Sequence, residues 1–302
     1  MKEDQHMKII LTGSLGHISR PLAQKLIATG HTVTVISHNA ARADEITALG
    51  ATPAIGRIDD LDFLTATFTG ADAVYLMITN ATGGQGDLFT AGKRQATIYA
   101  NAVKAAGVQR VVNLSSVGAN LGPEVGALHI YNVIEGVLTQ ELPGVNLTFL
   151  RPTGMFYNLF GSLQSIKRDH VIYTNNSLTK RGSWVAPADI VPIVTQALTA
   201  PQPGVTSQYI ASDERSYTEI ASILGQALAL PDLKAVQIDD ATMTRNLIAG
   251  GMPAAFTTQY VKMLAYEREH DFYADYRAHH PQLGPTKLTD FAVTFAQAYR
   301  QT

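Results

Sequence analysis

Short apolar runs alternate with segments of helical periodicity along the first half of the chain. Residues 7–12 (MKIILT) form an apolar run that ends at Gly13, a pattern typical of a buried parallel strand. Apolar side chains then recur every four positions at Ile18, Leu22 and Leu26, and this spacing predicts an amphipathic helix. The opening segment therefore predicts a strand, a glycine-containing turn and a helix.

The same alternation continues to about residue 150. Apolar runs predict five further strands, at residues 32–36, 53–56, 73–78, 110–115 and 146–150. Helical periodicity predicts helices at residues 41–49, 61–68, about 87–106 and 130–138. Strands that alternate with helices predict an α/β protein of the Rossmann type, with a doubly wound parallel sheet covered by helices on both faces.

The alternation of strands and helices ends after Arg151, and irregular polar segments and then aromatic-rich helical segments follow. We expect this part to form a smaller, mainly helical C-terminal lobe beside the strand ends, where open α/β sheets bind their ligands. The predicted domains are a Rossmann domain and a substrate-side lobe. The Rossmann domain comprises residues 7–151 and about 184–200, and the lobe comprises about 152–183 and 201–302.

Composition and charge narrow the classes of function. The net charge is −2 and no basic tract stands out, so nucleic-acid binding is not expected. The chain has no cysteine, which excludes disulfides, thiol catalysis and cysteine-ligated metals. No apolar run reaches the roughly 18 residues that a membrane-spanning helix needs, so we expect no membrane insertion and a cytoplasmic location. The first six residues are polar, and Met7 is a candidate for the natural start.

The turn after the first strand carries the chemistry of a phosphate-binding loop. Gly13 and Gly16 allow the backbone to turn tightly and approach a pyrophosphate, and the following helix presents unpaired N–H groups and a positive dipole end. Ser19 stands where the usual pattern has a third glycine, and it is small enough to keep the helix close to the strand. The residues predicted to contact the cofactor phosphates from this turn are Gly13, Ser14, Leu15, Gly16, His17 and Ile18.

The end of the second strand indicates which dinucleotide binds. An acidic residue at this position would bind the ribose hydroxyls of NAD(H), whereas a basic one would accept the 2′-phosphate of NADP(H). The sequence places Ser37 and His38 there, followed by Arg42, and the first acidic residue is Asp44. The sequence therefore favours NADP(H) over NAD(H), with Ser37, His38 and Arg42 as phosphate contacts, although a solvent-exposed Arg42 without this role stays open.

Five ordered motifs resemble those of one known family. They are LTGSLGHISRPLAQKLIATGHTVTVISHN (11–39), RVVNLSSVGA (110–119), TFLRPTGMFYN (148–158), VAPADI (185–190) and SYTEIASIL (216–224). Together they resemble the NmrA-like branch of the atypical short-chain dehydrogenases/reductases, over nearly the whole chain. The resemblance implies a Rossmann domain that binds NADP(H) and a small C-terminal lobe over the cleft. Members of the family include quinone and other small-molecule reductases, and also regulators that bind the cofactor without turning it over.

The resemblance also implies further cofactor contacts. Met77, Ile78 and Thr79 would pass near the ribose, and Ser115, Ser116 and residues 152–156, which begin with Pro152, would line the nicotinamide end. Two positions depart from the family pattern. Arg57 stands where the family often has an acidic residue, and Tyr131 stands where many members have a lysine, four residues before Glu135.

A proton donor for catalysis is not evident from the sequence. Classical short-chain dehydrogenases use Tyr-x-x-x-Lys, in which the lysine lowers the tyrosine pKa, and no tyrosine of this chain has a lysine four positions later. Glu135 is expected to raise the pKa of Tyr131, so packing against the cofactor ribose is the favoured role of Tyr131. The catalytic candidates are Tyr131, His129 and Ser116. His270, His279 and His280 lack the carboxylate spacing that a metal site would need.

Two functions remain open at this stage. The favoured one is an oxidoreductase that reduces a small carbonyl, quinone or enone, because hydride transfer belongs to the cofactor and positioning alone can support it. The alternative is a non-catalytic NADP(H) sensor that acts through a protein partner, and the sequence leaves open a homodimer as well. An epimerase would need a proton relay that the sequence does not show.

Overall fold

The computed structural model describes residues 6–78 and 87–301. The strands of these residues are β1 (Lys8–Leu11), β2 (Thr32–Ser37), β3 (Thr52–Ile55), β4 (Ala73–Met77), β5 (Arg110–Leu114), β6 (Asn146–Pro152), β7 (Gly154–Met155), β8 (Val171–Thr174), β9 (Gly182–Val185), β10 (Val205–Ile210), β11 (Asp213–Arg215) and β12 (Lys234–Gln237).

The helices of the same residues alternate with these strands. They are α1 (Ser19–Ala28), α2 (Ala43–Ala48), α3 (Leu61–Phe68), α4 (Leu88–Ala106), α5 (His129–Glu141), α6 (Leu163–Asp169), α7 (Pro187–Thr199), α8 (Tyr217–Leu228), α9 (Asp240–Ala249), α10 (Ala254–Glu269), α11 (Ala274–Ala278) and α12 (Leu288–Gln301). No helix in residues 6–78 and 87–301 is long and apolar enough to cross a membrane.

Within the described residues, the main sheet has seven parallel strands in the order β10-β6-β5-β4-β1-β2-β3. The strand order reverses between β1 and β4, which leaves a crevice at the carboxyl ends of these two strands. Successive residues of β1 point to opposite faces, since Ile9 and Leu11 join one buried cluster whereas Ile10 joins another. The clusters contain residues of α1 and α7 on one face and of α3, α4 and α5 on the other, which confirms the doubly wound Rossmann-type fold.

The C-terminal part builds two small sheets, β11-β9-β7 and β12-β8, around a third apolar cluster that includes Phe156, Leu224 and Phe295.

Two strands lie elsewhere than predicted. Gly182–Val185 (β9) overlaps the start of the segment at about 184–200 that was assigned to the Rossmann domain, but it pairs with β7 and β11, and only the helix that follows it packs on the main sheet. Val205–Ile210 (β10), expected in the lobe, pairs with β6 at the sheet edge. Three of its six residues, Thr206, Ser207 and Gln208, are polar, so it lacks the apolar run of a central strand. The division into two lobes otherwise stays a prediction.

Candidate functional site

The glycine turn is fixed to the sheet at the crevice between β1 and β4. Thr12 is buried, and its Oγ1 accepts a hydrogen bond from Met77 N at 2.7 Å and donates one to Tyr75 O at 3.1 Å. Gly13 has a φ of +89°, and a Cβ at this position would collide with the Met77 methyl group. Because only glycine adopts this backbone without strain, the turn can bring its backbone close to a phosphate.

Ser19 keeps α1 close to β1, as expected of a small residue at the third glycine position. It is fully buried, and its Oγ donates to Thr12 O at 3.4 Å. The Ser19 Oγ would lie 3.3 Å from a Cβ on Gly13, so little space remains between helix and turn. The serine therefore preserves the close packing of helix and strand.

Three of the predicted phosphate contacts lie together beside this turn. The Ser14 hydroxyl donates to Ser37 Oγ at 3.0 Å, and Arg42 Nη1 donates to Ser14 Oγ at 3.2 Å. Ser37 Oγ also accepts a hydrogen bond from Asn39 N at 3.2 Å. His38 is exposed next to this cluster. The guanidinium and two hydroxyls can therefore converge on one anionic group at the end of β2.

The carboxyl ends of β4, β5 and β6 open into a cavity of about 460 Å³, which we name the cleft cavity. The predicted site residues that line it are Ile18, Met77, Ile78, Ser115, Ser116, Tyr131 and Pro152. Other predicted residues lie elsewhere. Leu15 has its side chain in the core below the turn, and His129 packs edge-on against Phe89 rather than lining the cavity. His17 stacks on Tyr157, a residue of the cavity wall. Thr79 lies outside the described residues.

The cleft cavity fits the nicotinamide half of a dinucleotide. Thr153 lies in its wall, and the Thr153 hydroxyl is buried without a hydrogen-bond partner in the described part of the protein. Such a hydroxyl can bond a carboxamide or a hydroxyl of a bound molecule. The glycine turn, the cluster of Ser14, Ser37 and Arg42 and this open hydroxyl are the groups that could hold the pyrophosphate, the 2′-phosphate and the nicotinamide end of NADP(H), respectively.

Tyr131 is a poor acid for a reason that differs from the predicted one. The pKa of Tyr131 is raised by burial and then by the nearby Tyr157. The expected cause, Glu135, has its carboxylate turned elsewhere, because it accepts hydrogen bonds from Ser115 and Arg151. The direction of the shift agrees with the prediction, whereas its attribution to Glu135 was wrong.

Glu135 belongs to a polar network behind the cavity wall. Its Oε1 accepts from Ser115 Oγ at 2.5 Å, and both carboxylate oxygens accept from Arg151. Arg151 in turn donates to the Tyr209 hydroxyl at 3.2 Å, and Tyr209 hydrogen-bonds to Asp275. Burial lowers the pKa of Arg151, but the hydrogen bonds and charge of Glu135 more than offset it, so this pKa is raised. The network therefore fixes Ser115 and connects β6 to the C-terminal helices.

Glu267 is a site residue that sequence reasoning missed. This partly buried residue of α10 lines the cleft cavity and also a neighbouring cavity of about 470 Å³, the lobe cavity. Burial raises the pKa of Glu267 to about 7, although hydrogen bonds from Tyr273 and Asn176 and the charge of Lys180 act in the opposite direction. No local pattern could have indicated it, because a glutamate in a helical segment is ordinarily exposed and only the packing of α10 turns this one inward.

The comparisons with known proteins support this interpretation of the site. A family model described as NAD(P)H-binding matches residues 13–200, which is more than half of the chain. The comparison with curated proteins gave no match. Within residues 6–78 and 87–301, no three or more His, Cys, Asp or Glu side chains lie together so that they could hold a metal ion.

Solved structures resemble nearly the whole chain. The NADPH complex of an NADPH-dependent quinone oxidoreductase from Escherichia coli has a TM-score of 0.77 and 19% identity, covering 95% of this chain and 99% of that one. The NADP(H) complex of a triphenylmethane reductase from Citrobacter sp. has a TM-score of 0.74 and 18% identity, covering 96% and 99%. A nucleoside-diphosphate-sugar epimerase from Staphylococcus aureus has a TM-score of 0.73 and 15% identity, covering 95% and 100%.

These likenesses establish the fold, and the family model adds the type of cofactor. The structural likenesses confirm the Rossmann-type fold that the sequence resemblance implied, and the family model confirms the predicted nicotinamide dinucleotide. Since the model begins at Gly13 and extends through the strands that form the cleft, the chain belongs to the NAD(P)H-binding family.

Proposed function

We propose that the protein is an NADP(H)-dependent oxidoreductase that reduces a small carbonyl, quinone or enone. The observation that carries the proposal is a continuous site along the carboxyl ends of β1, β2, β4, β5 and β6. It begins at the cluster of Ser14, Ser37 and Arg42, passes the turn at Gly13 and ends in the cleft cavity. An extended NADP(H) molecule would have its 2′-phosphate at the first end of such a site, its pyrophosphate at the turn and its reactive ring at the other end.

Arg42 and the two hydroxyls beside it support NADP(H) as the cofactor. A 2′-phosphate at this place would form charge-assisted hydrogen bonds with the guanidinium. The first acidic residue after β2 is Asp44, in the first turn of α2, and β2 itself ends in a serine. The residues at this end of the site are thus suited to accept an anion rather than to bind two ribose hydroxyls through a carboxylate.

The bound cofactor would supply a hydride from its dihydronicotinamide ring, and the chain would orient and enclose the reactants. Pro152 and Thr153 would hold the nicotinamide end, and Ser115 is kept in place by Glu135. Met263, Phe272 and Tyr273 close the cleft cavity from the C-terminal side and present apolar and aromatic surface to an acceptor. This lining favours small, flat or apolar acceptors over highly charged ones.

Two of the structural relatives support the class of acceptor. By name, one is an NADPH-dependent quinone oxidoreductase and the other is a triphenylmethane reductase. The first name describes an oxidoreductase of quinones, and the second describes a reductase of triphenylmethane compounds. Transfer of this activity to the present chain is part of our proposal.

The experiment measures binding and turnover separately. NADPH and NADH are titrated against the purified protein by cofactor fluorescence, and NADPH oxidation is then followed with aldehydes, enones, quinones and a cationic triarylmethane dye. We expect tighter binding of NADPH than of NADH and turnover with at least one acceptor class. Tight binding without turnover on any acceptor would contradict the proposed enzyme and would favour the non-catalytic sensor.

A further inference from the structure

Glu267 is the one carboxylate among the described residues that line the cleft cavity. It projects from α10 into a wall that the cleft cavity shares with the lobe cavity, together with Phe272 and Tyr273. The same cavity is lined by Ser115, Pro152 and Thr153, which the proposed function places at the nicotinamide end. A substrate in the cleft cavity would therefore share it with both the hydride donor and Glu267.

We propose that Glu267 is the catalytic acid of this site and delivers a proton to the substrate as it accepts a hydride. The proposal rests on the proposed function and adds the residue that replaces the absent tyrosine–lysine pair. It concerns substrates whose reduction needs a proton, such as aldehydes, ketones and quinones.

The surroundings of Glu267 hold its carboxyl group in place. The Tyr273 and Asn176 side chains, from the segments before α11 and after β8, lie close enough to Glu267 to lower its pKa. Gly182, at the start of β9, leaves room for it, since a Cβ there would lie 3.1 Å from Glu267 Oε1. The ionisable groups facing Glu267 are Lys180, Tyr217, Tyr260 and Tyr273.

Among the acids of the cleft cavity, Glu267 is the best suited to give up a proton near neutral pH. Burial raises the pKa of Glu267 to about 7, which matches the value expected of a general acid working at that pH. The pKa values of Tyr131, Tyr157 and Tyr273 are all raised by burial, so these phenols retain their protons more firmly. The carboxyl group is therefore the stronger acid at neutral pH.

The proposed step is the reduction of a carbonyl group with Glu267 as the acid. The carbonyl carbon accepts the hydride and forms a C–H bond, while the electron pair of the C=O π bond moves to oxygen. That oxygen takes the proton of the Glu267 carboxyl group, whose O–H electron pair remains on the carboxylate. The carboxylate is then reprotonated from water, so the reaction consumes one proton from solvent together with the reduced cofactor.

The lobe cavity supplies a route for this reprotonation. It shares Glu267 with the cleft cavity and is lined by charged side chains, which favour the entry of water. They are Lys180, Arg181, Arg215, Glu269, Asp271 and Arg277. Since Glu267 lies in the shared wall, its carboxylate can take a proton from one cavity and deliver it into the other.

The test compares Glu267→Gln with Glu141→Gln, whose glutamate lies at the end of α5 and pairs with Lys104 at the surface. Both variants are assayed with the neutral carbonyl or quinone that the wild type reduces best and with a cationic triarylmethane dye. A cationic dye becomes neutral on accepting a hydride and needs no proton. We expect Glu267→Gln to lower kcat/KM for the neutral acceptor on the order of 10²-fold, with dye reduction and NADPH affinity unchanged. Glu141→Gln should behave as the wild type.

A second set of measurements needs no variant activity. In the wild type, kcat/KM for the neutral acceptor should fall above pH 7 while kcat/KM for the dye should not. The ¹³C NMR spectrum of protein labelled at the glutamate carboxyl carbon should contain one resonance that titrates near pH 7 and is missing from Glu267→Gln. An unchanged kcat/KM in Glu267→Gln, or equal pH profiles for both acceptors, would overturn the assignment of Glu267 and leave the proposed function intact. Absence of wild-type turnover would overturn the proposed function itself.

Discussion

Arg151 and Glu135 form a two-point ion pair behind the wall of the cleft cavity. Arg151 Nε lies 3.0 Å from Glu135 Oε1, and Arg151 Nη2 lies 2.6 Å from Glu135 Oε2. The two side chains are 12% and 10% exposed, so the pair is largely removed from water. The pair joins β6 to α5 and orients Ser115, whose hydroxyl donates to the same Oε1.

Replacement of Arg151 by methionine should destabilise the protein strongly. The change leaves the Glu135 carboxylate without its cationic partner in a largely buried place, which typically costs about 3–5 kcal/mol. The double variant Arg151→Met/Glu135→Met should be more stable than the single one, because it removes the uncompensated charge. Unfolding in urea measures both free energies.

A matched surface pair provides the control for this experiment. Arg168 pairs with Asp169 but is 72% exposed, so Arg168→Met should change the free energy of unfolding by less than about 1 kcal/mol. A single Arg151→Met variant that is as stable as Arg168→Met would show that the buried pair does not support the fold.

Gly13 and Gly30 share a φ of +89° but differ in their surroundings, which separates backbone strain from cofactor binding. Alanine at either position should cost about 1–2 kcal/mol of stability, because L-residues resist this backbone conformation. A Cβ at Gly13 also displaces the Met77 methyl group, whereas Gly30 has nothing within 4 Å. Gly13→Ala should therefore raise the Kd for NADPH at least about tenfold, and Gly30→Ala should leave it unchanged. Equal effects of both variants on the Kd would contradict a cofactor role of the turn.

Much of the nucleotide half of the site could be predicted from sequence because its residues are local to one strand–turn–helix unit. Gly13, Ser14 and Ser19 lie within a short segment, and the turn conformation requires glycine at a fixed place. The place of Ser37 and Arg42 beside this turn was also predictable, because parallel strands end at the same edge of the sheet. The strand β10 was not predicted because strands were predicted from apolar runs, and an edge strand needs no continuous apolar run.

Arg42 should decide between the two dinucleotides. Its guanidinium lies beside Ser14 and Ser37, and loss of a hydrogen bond to a charged group costs about 1.5–3 kcal/mol. We therefore expect Arg42→Ala to raise the Kd for NADPH at least about tenfold with little change for NADH. Arg300→Ala, in α12, is the control and should alter neither affinity. Cofactor fluorescence titration gives all four values, and an equal loss for NADPH and NADH would show that Arg42 does not contact the 2′-phosphate.

Gly126 sets the distance between the segment before α5 and the helix that carries Glu267. Its φ is +65°, and a Cβ would lie 2.8 Å from Met263 N and collide with Gln259 O, both in the backbone of α10. Since a helix backbone cannot rotate away as a side chain can, Gly126→Ala should destabilise the protein by about 1–3 kcal/mol and reduce turnover by moving α10. Gly136 is the opposite case, an exposed helical glycine with nothing near its Cβ position. Gly136→Ala should stabilise by about 0.5–1 kcal/mol, and thermal unfolding of both variants tests the pair.

The substrate half of the site was less accessible to sequence reasoning. Tyr131 was identified from its place in a family motif, but its surroundings depend on where α5 turns the Glu135 carboxylate. Glu267 follows Tyr131 by more than a hundred positions and reaches the cleft cavity only through the packing of α10 against residues 123–128. Contacts between elements so distant in the chain leave no periodicity or spacing that a single sequence could reveal.

The pH dependence of the free energy of unfolding should reveal the raised pKa of Glu267 without any measurement of activity. The pKa of Glu267 is about 7 in the folded protein against an ordinary value of 4.5. Between these two values the folded protein holds a proton that the unfolded chain has released, so this group lowers the free energy of unfolding as pH rises. The contribution is fully present below pH 4.5 and is lost as the pH rises through 7, with a slope of at most about 1.4 kcal/mol per pH unit.

Glu267→Gln removes this dependence and leaves the other titrating groups in place. The free energy of unfolding of the variant, measured in urea at several pH values, should rise relative to that of the wild type from pH 5 to pH 8. Glu269→Gln, whose side chain pairs with Arg268 at the surface, should not show this rise. If the difference between Glu267→Gln and the wild type stays constant over this range, Glu267 has an ordinary pKa in the folded protein and is ionised at neutral pH, a state in which it cannot act as the acid.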